Sequence, residues 1–182
     1  MDKKALHKIS YGLFIVCSEH KKKSNGQIAN SVMQITAEPP TIALSINKEN
    51  FTHEIISQSK KFTISILDKQ TSMSLIGTFG FKCGRTVDKM EQVTCIQKET
   101  MIPIVTDHTT AYIEAKLINK LDVGTHTIFI GEVMNADLLT DEEPMTYEYY
   151  HDVKGGLSPK NAPTYVSAQS KKEQNKEEKN NG

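Results

Sequence analysis

Alternation of apolar and polar residues with a period of two constrains this chain more than any other feature of its sequence. Ile42, Leu44 and Ile46 alternate with small or polar residues, and the same pattern returns in residues 61–67 and 110–118. A strand places successive side chains on opposite faces of a sheet. The pattern therefore predicts several half-buried β-strands.

Two further segments, residues 13–17 and 127–133, are more continuously apolar. This is expected of strands that are covered on both faces, by a barrel interior and by a further layer such as a dimer interface. Helical patterns are few and short, in residues 52–59 and 71–79. About seven strands with a few short helices predict a mainly β fold, a closed or nearly closed barrel, because closure removes exposed strand edges.

Charge and cysteine content narrow the range of partners. Lys plus Arg and Asp plus Glu both number 22, so no global charge favours binding to nucleic acid or to an anionic membrane. The apolar run at residues 13–17 is too short for a signal peptide or a membrane span, so we expect a cytoplasmic protein. Three separated cysteines, Cys17, Cys83 and Cys95, indicate neither a disulfide framework nor a zinc site.

The chain divides into one domain, residues 1–166, and a charged, amide-rich tail, residues 167–182, that we predict to be disordered. Residues 154–165 precede the tail and contain Pro159 and Pro163, which exclude regular structure. They predict an extended arm at the end of the domain.

No familiar phosphate-binding loop occurs in the chain. Neither GxGxxG nor GxxxxGK[ST] is present, which excludes the usual cradles of dinucleotide folds and P-loop enzymes. The glycines of residues 77–85 are spaced for a loop between a helix and a strand instead.

Residues 25–52 form the best candidate for a binding site. A first strand carries the small residues Ala29, Asn30 and Ser31, beside which a flat ring could approach the backbone. A bend at Pro39 and Pro40 then leads into the second strand.

The second strand ends, and a short helix begins, near Asn47, Lys48 and Thr52. A helix start offers free N–H groups and a positive dipole end, which suit a phosphate. A capped helix here and a hairpin turn at Asn25 and Gly26 explain the same residues without a ligand. Spacing alone does not separate the two interpretations.

Several blocks, in order along the chain, resemble the flavin-reductase-like family of FMN-binding split barrels. They are YGLFIV, NGQIANSVMQITAEPP, SINKENFTHEII, FTISIL, CGRTVDKM and GTHTIFIGEV, and the likeness covers about residues 9–165. The ending YEYYHDVKGGLSPKNAPTY is similar to flavoredoxins and to the flavin domain of rubredoxin-fused NADH:rubredoxin oxidoreductases. No CxxC pair of a rubredoxin follows Tyr165.

The resemblance implies an FMN-binding split β-barrel of the Greek-key type that works as a homodimer. It implies NAD(P)H or a protein as electron donor, and a flavin, rubredoxin or another iron protein as acceptor. The ring of FMN would contact Asn30, Ser31 and Val32. The phosphate would lie by Ser45, Asn47, Lys48 and Thr52, and the block Cys83, Gly84, Arg85 and Lys89 would lie close to the flavin.

Two departures from the family pattern are Cys83, where serine is common, and Met90, where phenylalanine is common. A small buried thiol without a redox role is the favoured interpretation of Cys83, and tuning of the flavin is the alternative. His126 matches a position associated with nicotinamide access, and a buried, hydrogen-bonded strand histidine explains it equally well.

Hydride transfer between cofactors needs stacking and orientation more than an acid or a base, so we expect no catalytic triad. Tyr147, Tyr149 and Tyr150 either cover the flavin of a partner subunit or pack in the core.

Three functions remain open from the sequence. The first is an NAD(P)H-dependent flavin or rubredoxin reductase, and the second is a flavoredoxin-type electron carrier without its own NAD(P)H site. The third is a split barrel that binds haem or another ligand.

Overall fold

The computed structural model describes residues 3–165, and the tail predicted at residues 167–182 lies outside them. The strands are β1 Phe14–His20, β2 Lys23–Ala29, β3 Val32–Ala37, β4 Pro40–Asn47, β5 Lys61–Leu67, β6 Cys95–Ile96, β7 Ile104–Val105, β8 Thr109–Asp122 and β9 His126–Leu138. The α-helices are α1 Phe51–Ser59, α2 Met73–Phe81 and α3 Tyr147–Asp152, and short 3₁₀ turns lie at Lys3–Lys8 and Met90–Gln92.

Seven strands form one antiparallel sheet in the order β2-β1-β5-β8-β9-β4-β3, and β6 pairs with β7 separately. The long strands β8 and β9 shift register between Glu114 and Ala115 and again between Leu117 and Asn119. Such irregularities bend a strand and increase its twist, which lets one sheet curl around a core. The predicted mainly β fold is confirmed.

Two apolar clusters lie on opposite faces of β1. Ile15 and Cys17 belong to a cluster with Phe79 of α2, whereas Val16 belongs to a second cluster with Phe129 of β9. All three β1 side chains are buried. The continuous apolar run therefore marks a strand covered on both sides, as predicted.

The turn before β2 differs from the expectation. Asn25 and Gly26 lie inside β2, paired with Ser18 and Cys17, and the turn falls at Lys21 and Lys22, which have positive φ. A Cβ at Gly26 would lie 2.8 Å from the sulfur of Cys17, so glycine here serves close packing of the strand, not the turn.

The strand predicted to carry Asn30 and Ser31 ends one residue earlier, at Ala29. These two residues form the link between β2 and β3. The Ser31 carbonyl accepts a hydrogen bond from the Ser45 N–H at 3.0 Å, which ties the link to β4.

A buried carboxylate fixes one loop to the sheet. Glu114 of β8 is fully buried and accepts hydrogen bonds from the backbone of Glu99, from the backbone and hydroxyl of Thr100, and from Asn135. Burial raises the pKa of Glu114, but these hydrogen bonds outweigh it and hold that pKa below its ordinary value.

No helix among the described residues is long and apolar enough to cross a membrane.

Candidate functional site

A cavity of about 310 Å³ lies where β2, the start of α1, the end of α2 and residues 157–163 meet. Its apolar wall contains Leu13, Ile28, Ile76 and Phe79. Its polar lining includes Gln27, Asn30, Ser45, Asn47, Asn50, Thr52 and Lys89. A ligand with a flat apolar body and several polar edges suits such a lining.

The start of α1 is open to a ligand. Asn50 is the N-cap residue, but its side chain makes no capping bond, and its Oδ1 instead accepts a hydrogen bond from Asn161 at 3.2 Å. The first N–H groups of a helix have no partner within the helix. This end of α1 can therefore bind an anion.

Two cations lie over the first residue of that helix. The Arg85 guanidinium carbon is 5.0 Å and the Lys23 Nζ is 4.7 Å from the centroid of the Phe51 ring. Arg85 also donates to the carbonyl of Glu49 at 3.3 Å and pairs with Glu54 at 3.1 Å. Lys23 and Arg85 thus bring positive charge to the positive end of the helix dipole, and Glu54 offsets part of it.

A buried hydrogen bond joins β2 to the same helix start. Asn25 Nδ2 donates to Thr52 Oγ1 at 2.7 Å, and Asn25 is only 3% exposed. Gly84 packs on Asn25 so closely that a Cβ at Gly84 would lie 1.9 Å from Asn25 Oδ1. Any larger residue at this position must displace the asparagine.

Lys89 is the most unusual side chain of the cavity. It is 3% exposed, and its Nζ has neither a hydrogen bond nor an ion pair within residues 3–165. Its Nζ lies 5.6 Å from the centroid of the Phe79 ring. Burial lowers the pKa of Lys89 to about 8.

Gln27 presents a second unsatisfied group. Its Oε1 is buried and has no hydrogen-bond partner among the described residues, and Gln27 lines the cavity. Buried polar atoms normally have partners. Among the described residues, Gln27 Oε1 lacks a positive or N–H donor group, and Lys89 Nζ lacks a negative or acceptor group. Both observations point to a polar ligand.

The comparisons with known proteins agree with this geometry. The sequence profile described as "Flavin reductase like domain" matches residues 6–158. The chain belongs to this flavin reductase-like family. The split-barrel fold predicted from the resemblance is thereby confirmed.

Two curated relatives cover nearly the whole chain. A high molecular weight rubredoxin of Moorella thermoacetica is 51% identical over 171 residues, which are 94% of this chain and 75% of the relative. A ferric-chelate reductase (NAD(P)H) of Archaeoglobus fulgidus is 45% identical over 168 residues, which are 92% of this chain and 99% of the relative.

Solved structures show the same fold. The flavin reductase PheA2 in its native state has a TM-score of 0.66 and 28% identity, covering 80% of this chain and 93% of its own. A flavoredoxin from Methanosarcina acetivorans has a TM-score of 0.67 at 21% identity, covering 74% of each chain.

The structure brings seven of the predicted flavin-binding residues to the cavity. They are Asn30, Ser45, Asn47, Thr52, Cys83, Gly84 and Lys89. Four others lie outside its lining. Ser31 donates to the side chain of Asn30 at 3.1 Å, Val32 pairs with Leu44 in the sheet, Arg85 lies over Phe51, and Lys48 pairs with Asp122.

Lys48 points away from the place predicted for it. Its Nζ is 2.6 Å from Asp122 Oδ1, and its backbone N–H donates to the carbonyl of Thr125 at 3.0 Å. Both partners belong to the β8–β9 turn region, which draws Lys48 to the outside of the sheet. Arg85 and Lys23 are the cations at the helix start instead.

The expectation that Cys83 is a buried thiol is wrong. The residue is exposed, because it follows the end of α2 in a turn, and it lines the cavity. A hydrogen bond from the Arg85 backbone lowers the pKa of the Cys83 thiol, and the Arg85 side chain acts in the same direction.

His126 does not line the cavity but holds the arm that covers it. Its Nε2 lies 3.3 Å from the carbonyl oxygen of Asn161, and its Nδ1 lies 2.9 Å from the Thr125 hydroxyl. Further along the arm, Thr164 accepts a hydrogen bond from Asn30 at 2.9 Å. The predicted arm therefore forms one wall of the cavity.

Two of the three tyrosines of α3 belong to the cavity. Tyr147 and Tyr150 line the cavity, and Tyr150 is buried in the core. The Tyr147 hydroxyl lies 2.5 Å from the Ser158 hydroxyl and 2.7 Å from that of Thr164, which fastens the arm to α3.

Proposed function

We propose that this protein binds FMN in the cavity and moves electrons from NAD(P)H to a flavin or to an iron-protein acceptor such as rubredoxin. The observation that carries the proposal is a cavity with an open helix start in one part of its lining. Another part holds the buried Gln27 Oε1, which has no hydrogen-bond partner among the described residues, and Lys89, which has no ion-pair partner there. Membership of the flavin reductase-like family supports a flavin as the group that fits.

The phosphate end of FMN would lie at the start of α1. It would be bound by the uncapped N–H groups near Asn50 and Phe51 and by the guanidinium of Arg85. The hydrogen bond from Asn25 to the Thr52 hydroxyl would keep the helix start in place. A terminal phosphate carries about two negative charges at neutral pH, which the two cations and the helix start would balance.

The ring would lie along β2, between its polar edge and the apolar wall. Asn30, Ser45 and Asn47 offer hydrogen-bonding groups there, and Ile76 and Phe79 offer apolar contact. Once bound, the flavin supplies the acceptance and release of electrons as hydride or single electrons. The chain itself binds and orients the ring and keeps water from its covered face.

The names of the two curated relatives support the choice of donor and acceptor. One is a reductase that is named for NAD(P)H and ferric chelates, and the other is named as a rubredoxin. Electron transfer that involves iron is the chemistry common to these names.

One observation favours a second candidate, an electron carrier of the flavoredoxin type. His126, which the resemblance associates with nicotinamide access, is bound to the arm and lies outside the cavity lining. In that case a reduced protein would be the electron donor, and NAD(P)H would not react.

Anaerobic reduction tests the proposal and separates the two candidates. Protein reconstituted with FMN is mixed with NADH or NADPH, and the visible flavin absorbance is followed in a stopped-flow instrument. Prompt bleaching, followed by recovery when oxidised rubredoxin is added, supports the reductase. Lasting oxidised flavin with prompt bleaching by a reduced protein donor supports the carrier. Failure to bind FMN contradicts both.

We also propose that two copies form a homodimer through β3. This strand is an edge of the seven-stranded sheet, and its Met33 and Ile35 side chains are 65% and 45% exposed. Exposed apolar edges normally have a partner. Light scattering after size exclusion should give a dimer mass, and Met33→Lys should reduce it to that of a monomer. A monomeric wild type would contradict this part.

The predicted cytoplasmic location stays a prediction.

A further inference from the structure

Lys89 carries a buried positive charge without a negative partner. It precedes the 3₁₀ turn Met90–Gln92, lines the cavity and is 3% exposed. The charged or titratable groups acting on it are the thiols of Cys17 on β1 and of Cys83 after α2. No carboxylate in the described part of the chain is within ion-pair distance of it.

Such a group is costly in the absence of a ligand. An ammonium loses part of its hydration on burial, and no carboxylate or hydrogen-bonding group of the described residues replaces it here. An uncharged side chain beside the apolar ring of Phe79 would cost less at this position. A lysine at this position therefore indicates that a ligand brings negative charge to it.

The phosphate of FMN does not need this lysine. Arg85 and Lys23 already lie at the helix start, and Arg85 is not among the groups that perturb Lys89. There are thus two separate positive regions, of which only the one at Lys89 lies in the cavity lining, because Arg85 and Lys23 are outside it. One belongs to the start of α1, and the other faces the apolar wall formed with Phe79.

We propose that Lys89 is the counter-charge of the flavin ring and favours its reduced state. This proposal rests on the proposed function. The oxidised ring is neutral, and uptake of two electrons and one proton leaves it with one negative charge. An ammonium beside the ring therefore strengthens binding of reduced FMN more than binding of oxidised FMN, which raises the midpoint potential.

Redox titration of FMN-loaded variants tests the proposal. Lys89→Met removes the charge and keeps most of the volume, and Lys89→Arg keeps the charge. We expect Lys89→Met to lower the ratio of reduced to oxidised affinity by about tenfold, which corresponds to about 30 mV for two electrons. Lys89→Arg should restore most of this shift.

Lys82→Met is the matched control, because Lys82 also lines the cavity but is exposed to solvent. Its charge is screened by water, so its removal should change the potential much less. Thermal unfolding of each variant shows whether the fold is retained.

A measurement on the unaltered chain covers the case in which Lys89→Met does not fold. Because burial lowers the pKa of Lys89 to about 8, the lysine is charged below that pH and neutral above it. A negative ring raises this pKa, so reduced FMN should bind with uptake of a proton above about pH 8 and lose affinity as the pH rises further. Calorimetry in two buffers of different ionisation enthalpy measures the uptake.

The outcomes separate this proposal from the proposed function. Wild type that binds no FMN contradicts the proposed function itself. If wild type binds FMN, an unchanged potential in Lys89→Met overturns only the role of Lys89. Equal weakening of both flavin forms overturns it too, because that result assigns Lys89 to the phosphate. In the unaltered chain, equal proton uptake on binding oxidised and reduced FMN would also overturn the role of Lys89.

Discussion

Replacing Gly84 by alanine tests how strictly the site is built. The new Cβ would lie 1.9 Å from Oδ1 and 2.5 Å from Cγ of Asn25, an overlap that a small shift does not relieve. Asn25 would have to leave Thr52, whose hydroxyl is fully buried and then loses its donor. Overpacking and one unsatisfied buried group together cost about 2–4 kcal/mol.

The stability loss should be visible as a fall in melting temperature of about 5–10 °C. FMN affinity should fall by about tenfold or more, because Asn25 fixes the helix start that we propose for the phosphate. Gly77→Ala is the matched control. No atom lies within 4 Å of a Cβ at Gly77, inside α2, so alanine should stabilise the protein by about 0.5–1 kcal/mol and leave FMN binding unchanged.

Calorimetry or denaturant unfolding measures the stability, and fluorescence titration measures FMN binding. A Gly84→Ala variant as stable as wild type would show that Asn25 has room to move. A destabilised variant with unchanged FMN affinity would separate the Asn25–Thr52 bond from the phosphate site.

Three further predictions follow from single contacts. In a fluorescence titration, Arg85→Ala should weaken FMN binding about tenfold and Lys48→Ala should have little effect. The reverse result would show that Lys48 binds the phosphate, as the sequence predicted. Asn161→Ala removes the bond to Asn50 and should speed FMN dissociation several-fold in an exchange assay; an unchanged rate would show that the arm does not retain the flavin. Glu114→Gln should cost about 1–3 kcal/mol at neutral pH. Because the folded pKa of Glu114 is lowered, its contribution to the free energy of unfolding is present above the ordinary pKa near 4.5 and is lost as the pH falls through the folded pKa. The stabilities of wild type and variant should therefore converge in acid unfolding. A constant difference in stability would contradict this.

The strands could be predicted because the pattern that defines them is local. Ile42, Leu44 and Ile46 are all buried in β4, and the apolar run before Ser18 is a strand buried on both faces. The helix starts were predicted to within two residues, since α1 begins at Phe51 and α2 at Met73. Period and composition suffice for these elements.

The site could be predicted only in part, because its contacts join residues far apart in the chain. Asn25 meets Thr52 across 27 residues, and Asn30 meets Thr164 across 134. The strand order places β2 and β3 at opposite edges of the sheet, and no local pattern encodes that order. Lys48 is the clearest example, because a lysine before a helix suits a phosphate until Asp122, 74 residues away, pairs with it.

The exposure of Cys83 and the burial of Lys89 were also beyond sequence reasoning. Thiols are usually buried and lysines usually exposed, and here the two are reversed. Both residues lie in the segment after α2, where no regular element sets which side chain faces inward. The resemblance predicted that the Cys83–Lys89 block lies close to the flavin, but it did not show which residue lies inside the cavity.

The arm is bonded to the cavity that we propose for FMN. Arm residues bond to Asn30, Asn50 and His126, and the first two lie in the cavity that we propose for FMN. A flavin that leaves past the arm must break these bonds together, since one short segment makes all three. Electron transfer to a protein at the cavity mouth needs no such opening. We therefore expect FMN to act as a resident group that turns over many times per exchange, and an exchange rate as fast as turnover would contradict this.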